Sequence, residues 1–249
     1  MFLCERTKVM KSSRFILSCL ISILLVNAAS AAWVPLTGPP VPISFLSDRP
    51  LIFGDKMLSE IDIFGFGVGG AINPTADSLF VQGGQDDVTG NYGLRFFLSW
   101  NAFSGQSINA TLNFKISVLP GYDNYIKDVE MDITGASATG SGGVNVGEIV
   151  RNAPFPDGDV IASLSCSMQK SGAKLYDHQE FAPLKEIWVW SKDISITGGT
   201  DPDGSAHLSG LFQFYSQVPE PATIVLFGTA SLWVLARKKQ RFLGGHRSK

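Results

Sequence analysis

The chain has 249 residues, of which 45% are hydrophobic and 17% charged, and its formal net charge is −2. That charge is spread unevenly: residues 1–31 carry four Lys or Arg against one Glu, residues 218–249 carry six against one, and the middle carries ten against twenty acidic residues. An acidic middle repels polyanions, which excludes nucleic acid and anionic membrane surfaces as its partners.

At the N-terminus, Lys8, Lys11 and Arg14 precede an apolar run over 15–26, and small residues follow as far as Ala32. A charged start, a short apolar stretch and an A-x-A site are the parts of a secretory signal peptide. Residues 1–31 are therefore expected to be removed, with Ala29 and Ala31 at the small-residue positions of the cut. Met10 offers a second start. The run is short for a membrane span, which argues against an uncleaved anchor helix. Cys4 and Cys19 leave with the signal, so Cys166 remains without an internal disulfide partner. In VIASLSCSM it shares a strand face with Val160, Ala162, Leu164 and Met168, and is expected to be buried as a small hydrophobe.

The stretch 32–50 is proline-rich and reads as an extended lead-in. Beyond it the pattern has period two. In SINATLNFKISV, Ile108, Ala110, Leu112, Phe114, Ile116 and Val118 face one way and polar residues the other, the signature of a half-buried strand. VEMDI repeats it with Val129, Met131 and Ile133. LRFFLSWNAF, EIWVWSKDISIT and HLSGLFQFYSQ read as further strands. Turn clusters are expected at Gly83-Gly84, at 121–124, at 140–143, at 157–159 and at 198–204. The expectation is an all-β domain over 51–217, an antiparallel β-sandwich of jelly-roll or immunoglobulin type.

No motif in this domain names a reaction. Gly65-Phe66-Gly67-Val68-Gly69-Gly70 fits G-x-G-x-x-G, but Asn73-Pro74 blocks the helix that a dinucleotide site needs, so a glycine loop or bulge is expected. Asp201-Pro202-Asp203-Gly204 echoes part of a calcium loop, yet position twelve would be Phe212, and the stretch reads as a turn. There is no G-x-S-x-G. His178 and His207 sit in polar, turn-like settings. Glu60, Glu130, Glu148, Glu180 and Glu186 carry no local signature of a catalytic pair. One Cys and two distant His build no metal cluster. No catalytic residue, metal or cofactor is expected. Trp188 and Trp190 lie two apart on one strand face; such pairs usually serve the core, and exposed they would stack on sugar rings.

The chain closes with VPEPATIVLFGTASLWVLARKKQRF. Pro219 and Pro221 hold Glu220 extended and end any helix upstream. Residues 222–236 are uncharged and read as a short transmembrane helix. Arg237, Lys238, Lys239 and Arg241 behind it would stop transfer and, with the basic tail 243–249, stay cytoplasmic. The lipid-anchor alternative lacks its polar spacer.

The order Val218-Pro219-Glu220-Pro221, apolar helix, basic block resembles the PEP-CTERM sorting signal, over 218–242 only. The resemblance implies an exported bacterial protein whose Pro-Glu-Pro is recognised by an exosortase-type membrane enzyme. The protein would be held at the inner membrane, then processed to the cell surface or extracellular space among exopolysaccharide. It implies nothing about the sorted domain. The expectation is thus a non-catalytic surface or matrix protein. The alternatives are a carbohydrate-binding or polysaccharide-active module, and a single-pass membrane protein that is never cut.

Overall fold

A computed structural model describes residues 32–219. Ala29 and Ala31 of the signal segment lie outside the described residues. So do Glu220, Pro221, the 222–236 run and Arg237, Lys238, Lys239 and Arg241. Among the described residues no helix is long and apolar enough to cross a membrane.

The strands in chain order are β1 (Trp33–Pro35), β2 (Val41–Pro42), β3 (Leu51–Phe53), β4 (Lys56–Val68), β5 (Phe80–Asp86), β6 (Tyr92–Phe103), β7 (Ser107–Val118) and β8 (Asn124–Thr134). They continue with β9 (Ser137–Thr139), β10 (Gly143–Arg151), β11 (Val160–Gln169), β12 (Gly172–Lys174), β13 (Tyr176–Leu184), β14 (Glu186–Thr197), β15 (Ser205–Tyr215) and β16 (Gln217–Pro219). One sheet runs β1-β5-β6-β15-β8-β13, with β2, β9 and β16 pairing onto β5, β15 and β8. The other runs β12-β11-β10-β14-β7-β4-β3. Neighbouring strands pair antiparallel throughout, as in β7 against β14 and β6 against β15.

The alternation read in the sequence sets the core. Ile108, Leu112, Phe114 and Ile116 of β7 are buried in one cluster with Leu94, Phe96 and Trp100 of β6 and Val129, Met131 and Ile133 of β8. Each such side chain stabilises the sandwich by about 1.5–3 kcal/mol relative to exposure. Cys166 is fully buried in the same cluster, and burial pushes its thiol up to about 11.

Several local expectations are corrected. The lead-in is part of the fold: β1 pairs with β5, Val41 sits opposite Val81, and Ile43 and Leu46 of a short 3-10 turn are buried. Gly83-Gly84 is not a turn. Both lie inside β5, where a Cβ on Gly83 would stand 2.4 Å from Phe53 Cβ and one on Gly84 2.4 Å from the Trp33 ring. Gly65 and Gly67 are not a loop. They sit on the inner side of β4, where a Cβ on Gly67 would stand 2.4 Å from the Ile72 carbonyl oxygen. In both places glycine records the close approach of another backbone or ring, a tertiary fact that local sequence does not carry. The turns at 201–204 and 157–159 stand as read.

Candidate functional site

The outer face of the seven-stranded sheet carries Trp188 and Trp190 on β14 and Phe64 and Phe66 on β4. On β14, Ile187 and Val189 point into the core, so Trp188 between them points out, and it is half-buried rather than part of the interior. A register shift between Val189 and Lys192 follows. Beyond it Lys192, Ile194 and Ile196 are buried, and Asp193 and Ser195 face outward. Trp190 is also half-buried, stacked on Phe155 with ring centroids 5.1 Å apart. The core role weighed for this pair thus fails, because the alternation of β14 is already satisfied by its aliphatic residues.

Trp188 has a cation on each side. Its cross-strand neighbours are Arg151 on β10 and Lys115 on β7. Lys115 Nζ lies 5.0 Å from the Trp188 ring centroid, 3.1 Å from Glu186 and 3.7 Å from Glu60. Arg151 faces the Phe155 ring at 5.3 Å. Glu60 sits at φ 53° in the β4 bulge between Ser59 and Asp62, a left-handed conformation that a side chain seldom adopts. The bulge resets the alternation, so that Glu60, Asp62, Phe64 and Phe66 all face outward.

That reset creates the second half of the face. Phe64 is 73% exposed and Phe66 48%. They line a cleft of about 210 Å³ with Asn109, Thr111, Asp193 and Ser195. Phe64 stands opposite Thr111, Phe66 opposite Asn109, and Asp193 opposite Thr111. Asp193 accepts hydrogen bonds from Thr111 Oγ1 and Ser191 Oγ, each at 2.6 Å, so its carboxylate is fixed in place. Flat apolar rings beside oriented amides, hydroxyls and a carboxylate can cover the C–H face of a ligand ring while bonding its hydroxyls. From Trp188 to Ser195 the track is about 20 Å long at about 3.3 Å per residue.

Sequence reasoning named Trp188 and Trp190 but missed Phe64 and Phe66. The alternation of KMLSEIDIFGFGV breaks at Glu60, and a strict period-two reading across the break assigns one half of the strand to the wrong face.

The outer face of the nine-stranded sheet is different. Trp33 packs on Phe212 and Phe214 at 5.3 and 5.9 Å, and Arg95 lies between Phe97 and Phe212 at 4.4 and 5.0 Å. These rings cover one another. Beside them Asp128, Glu130 and Asp132 line β8. Burial raises the carboxyl pKa of both Glu130 and Asp132, with Asp128 adding to the rise at Glu130. His178, expected to be solvated, has Nε2 3.4 Å from Asp128. Asp128, His178 and Glu180 converge closely enough for an ion. However, Asp128 already accepts bonds from the Ser216 backbone N–H at 2.8 Å and from the Ser216 hydroxyl. His207 Nδ1 is 2.8 Å from Asn101 Oδ1.

Of the tail motif, Val218 and Pro219 fall in β16, opposite Tyr125 and Asn124 of β8. The described sheet thus ends on the first proline of Pro-Glu-Pro.

No family model matches the chain, and no curated protein matches it. Among solved structures it is similar to CBM32 of AlyQ in complex with 4,5-unsaturated mannuronic acid, at 14% identity, over 44% of this chain and 76% of that one, with a TM-score of 0.20. It is similar to the family 32 CBM from C. perfringens NanJ in complex with galactose, at 12% identity, over 71% and 98%, with a TM-score of 0.22. It is also similar to CBM28, a non-crystalline cellulose specific carbohydrate-binding module, at 14% identity, over 57% and 79%, with a TM-score of 0.23.

Proposed function

We propose that this chain is an exported, non-catalytic jelly-roll module that binds an uncharged polysaccharide across the outer face of its seven-stranded sheet. In this reading its C-terminal sorting signal delivers it to the cell surface. The jelly-roll reading is supported by strand order. Strands β6, β15, β8 and β13 form one layer and β7, β14, β10 and β11 the other, with the chain crossing repeatedly between them.

The binding reading is carried by the exposure of Phe64 and Phe66 over Asn109, Thr111, Asp193 and Ser195, on the same sheet face as Trp188 and Trp190. Exposing such rings forfeits the burial that usually keeps them in a core. Binding is favoured over hydrolysis because Asp193, the carboxylate in the cleft, is held by two hydroxyls. Glu60 and Glu186 beside Trp188 are engaged by Lys115. The acidic charge of residues 32–217 disfavours a polyanionic chain.

The test is retardation of the protein in gels cast with neutral polysaccharides. Phe64→Ala and Trp188→Ala should each weaken retardation by roughly tenfold in affinity, equivalent to about 1.4 kcal/mol. Phe212→Ala on the opposite face should leave it unchanged. Retardation that survives both substitutions on the seven-stranded sheet would sink this placement of the site. Absence of retardation in every neutral glycan would remove the function.

A further inference from the structure

Between the two sheets lies a group of polar side chains that the proposed function does not use. Lys192 of β14 and Gln213 of β15 have no exposed surface, and Glu148 of β10 is 2% exposed. Glu148 is the cross-strand neighbour of Lys192, while Gln213 comes from the opposite sheet. Lys192 Nζ contacts Gln213 Oε1 and Glu148 Oε2. Gln213 Nε2 donates to Glu148 Oε1 at 2.7 Å. One carboxylate therefore holds both the amine and the amide nitrogen, and the amide carbon is one bond beyond the oxygen that the amine touches. The surroundings are the core: Met131 Sδ is 3.4 Å from Nζ, and Tyr215 is fully buried nearby.

An ion pair in such a place is a poor source of stability. The charges lose their hydration, and apolar replacements of similar volume are often as stable or more so. An amine, a carboxamide and a bridging carboxylate held together away from bulk solvent do have a chemistry. We propose that Lys192 and Gln213 become joined by an isopeptide bond, with Glu148 moving the protons, so that the two sheets are covalently stapled.

The step balances. Glu148 takes a proton from the Lys192 ammonium, and the freed amine attacks Gln213 Cδ. The new C–N bond forms as Cδ–Nε2 breaks. Glu148 passes protons from the former ammonium to the leaving nitrogen, which departs as ammonium. Of the five protons on the two nitrogens, one stays on the new amide and four leave, and Glu148 ends as it began. No oxidant, metal or other reactant is consumed. Contact of the reacting groups replaces a bimolecular encounter, an advantage that reaches effective molarities on the order of 10⁵ M or more in well-oriented cases. Exclusion of water keeps hydrolysis from competing.

The experiment is intact-mass measurement and tryptic mapping of the folded full chain, with its termini assigned from the same map. The expected protein is lighter than its sequence by one ammonia. Trypsin does not cut after Lys192, so Glu186 through Gln213 stay on one internally bridged tryptic peptide that is lighter by one ammonia, and a second digestion with chymotrypsin turns it into a branched peptide joining residues 192 and 213. A Glu148→Gln variant, shown folded by circular dichroism, is expected to keep the full mass and to be cut at Lys192. Wild-type protein at the unmodified mass, with Gln213 recovered in a linear peptide, overturns the proposal whether or not the variant folds. A cross-link that persists in Glu148→Gln overturns the role of Glu148.

Discussion

Glu130 and Asp132 stand two residues apart on β8, facing away from the core, yet burial raises the pKa of both. A carboxyl with a raised folded-state pKa keeps its proton in the folded chain after the unfolded chain has lost it. Its contribution to stability therefore falls as pH rises from about 4, the unfolded value, through the folded value. Replacing both, as Glu130→Gln and Asp132→Asn, removes that cost. Thermal melts should show the variant gaining on the wild type between pH 4 and pH 7, and at least equal to it at pH 7. A variant that loses ground over that interval would contradict the raised values. Cys166 shows the same physics without an outward face: its thiol, pushed up to about 11, stays protonated and behaves as the small hydrophobe that its alternation implied.

At the scale of the element, β5 shows why a glycine pair need not be a turn. Trp33 of β1 lies over Gly84 and donates its indole N–H to Gln82 Oε1 at 3.2 Å, while Phe53 of β3 lies against Gly83. A methyl group at Gly83 would also meet Thr37 Cγ2 at 2.8 Å. Gly83→Ala should cost about 1–3 kcal/mol through overpacking. In a domain of this size that lowers the melting temperature by roughly 2–10 °C. Gly147→Ala on β10, where an added Cβ meets nothing within 4 Å, should stay within about 0.5 kcal/mol of wild type. Equal melting temperatures for the two variants would mean that β1 and β3 do not close over β5 as described. β16, the last described strand, is held by Lys56 Nζ donating to Gln217 Oε1 at 2.9 Å, with Asp55 Oδ1 2.9 Å from the same ammonium. Burial lowers the Lys56 pKa, and the carboxylates of Asp55 and Asp128 oppose the change.

At the scale of the whole molecule, the sorting reading makes its own prediction. If the Pro-Glu-Pro directs processing, Glu220→Ala should leave export intact and cause full-length protein to accumulate in the membrane. Wild-type protein should be recovered as a species that begins near Ala32 and ends near the motif. Intact mass of the cell-bound and released forms reads both outcomes. Identical processing of the variant would sink the role of Glu220, and wild-type protein that keeps Arg237 to Lys249 in the membrane would leave the tail an ordinary anchor.

The sequence alone determined the class of fold and most of the core. Its period-two runs, above all in β7, put Ile108, Leu112, Phe114 and Ile116 on one face, and a side chain's face is a local consequence of strand geometry. It also placed Cys166 inside and the turn at 201–204 outside. What only the tertiary structure decided depends on contacts between residues distant in the chain. Examples are the glycines that another strand or ring approaches, the folding of residues 33–46 onto β5, and the meeting of Lys192, Glu148 and Gln213 from three strands. The face proposed to bind belongs with these. Trp188 was legible as a residue, but its outward direction was not, because Ile187 and Val189 take the inner side. Phe64 and Phe66 were hidden by the bulge at Glu60. A one-residue reset reverses every later side chain on the strand, and only pairing with β7 fixes where that reset falls.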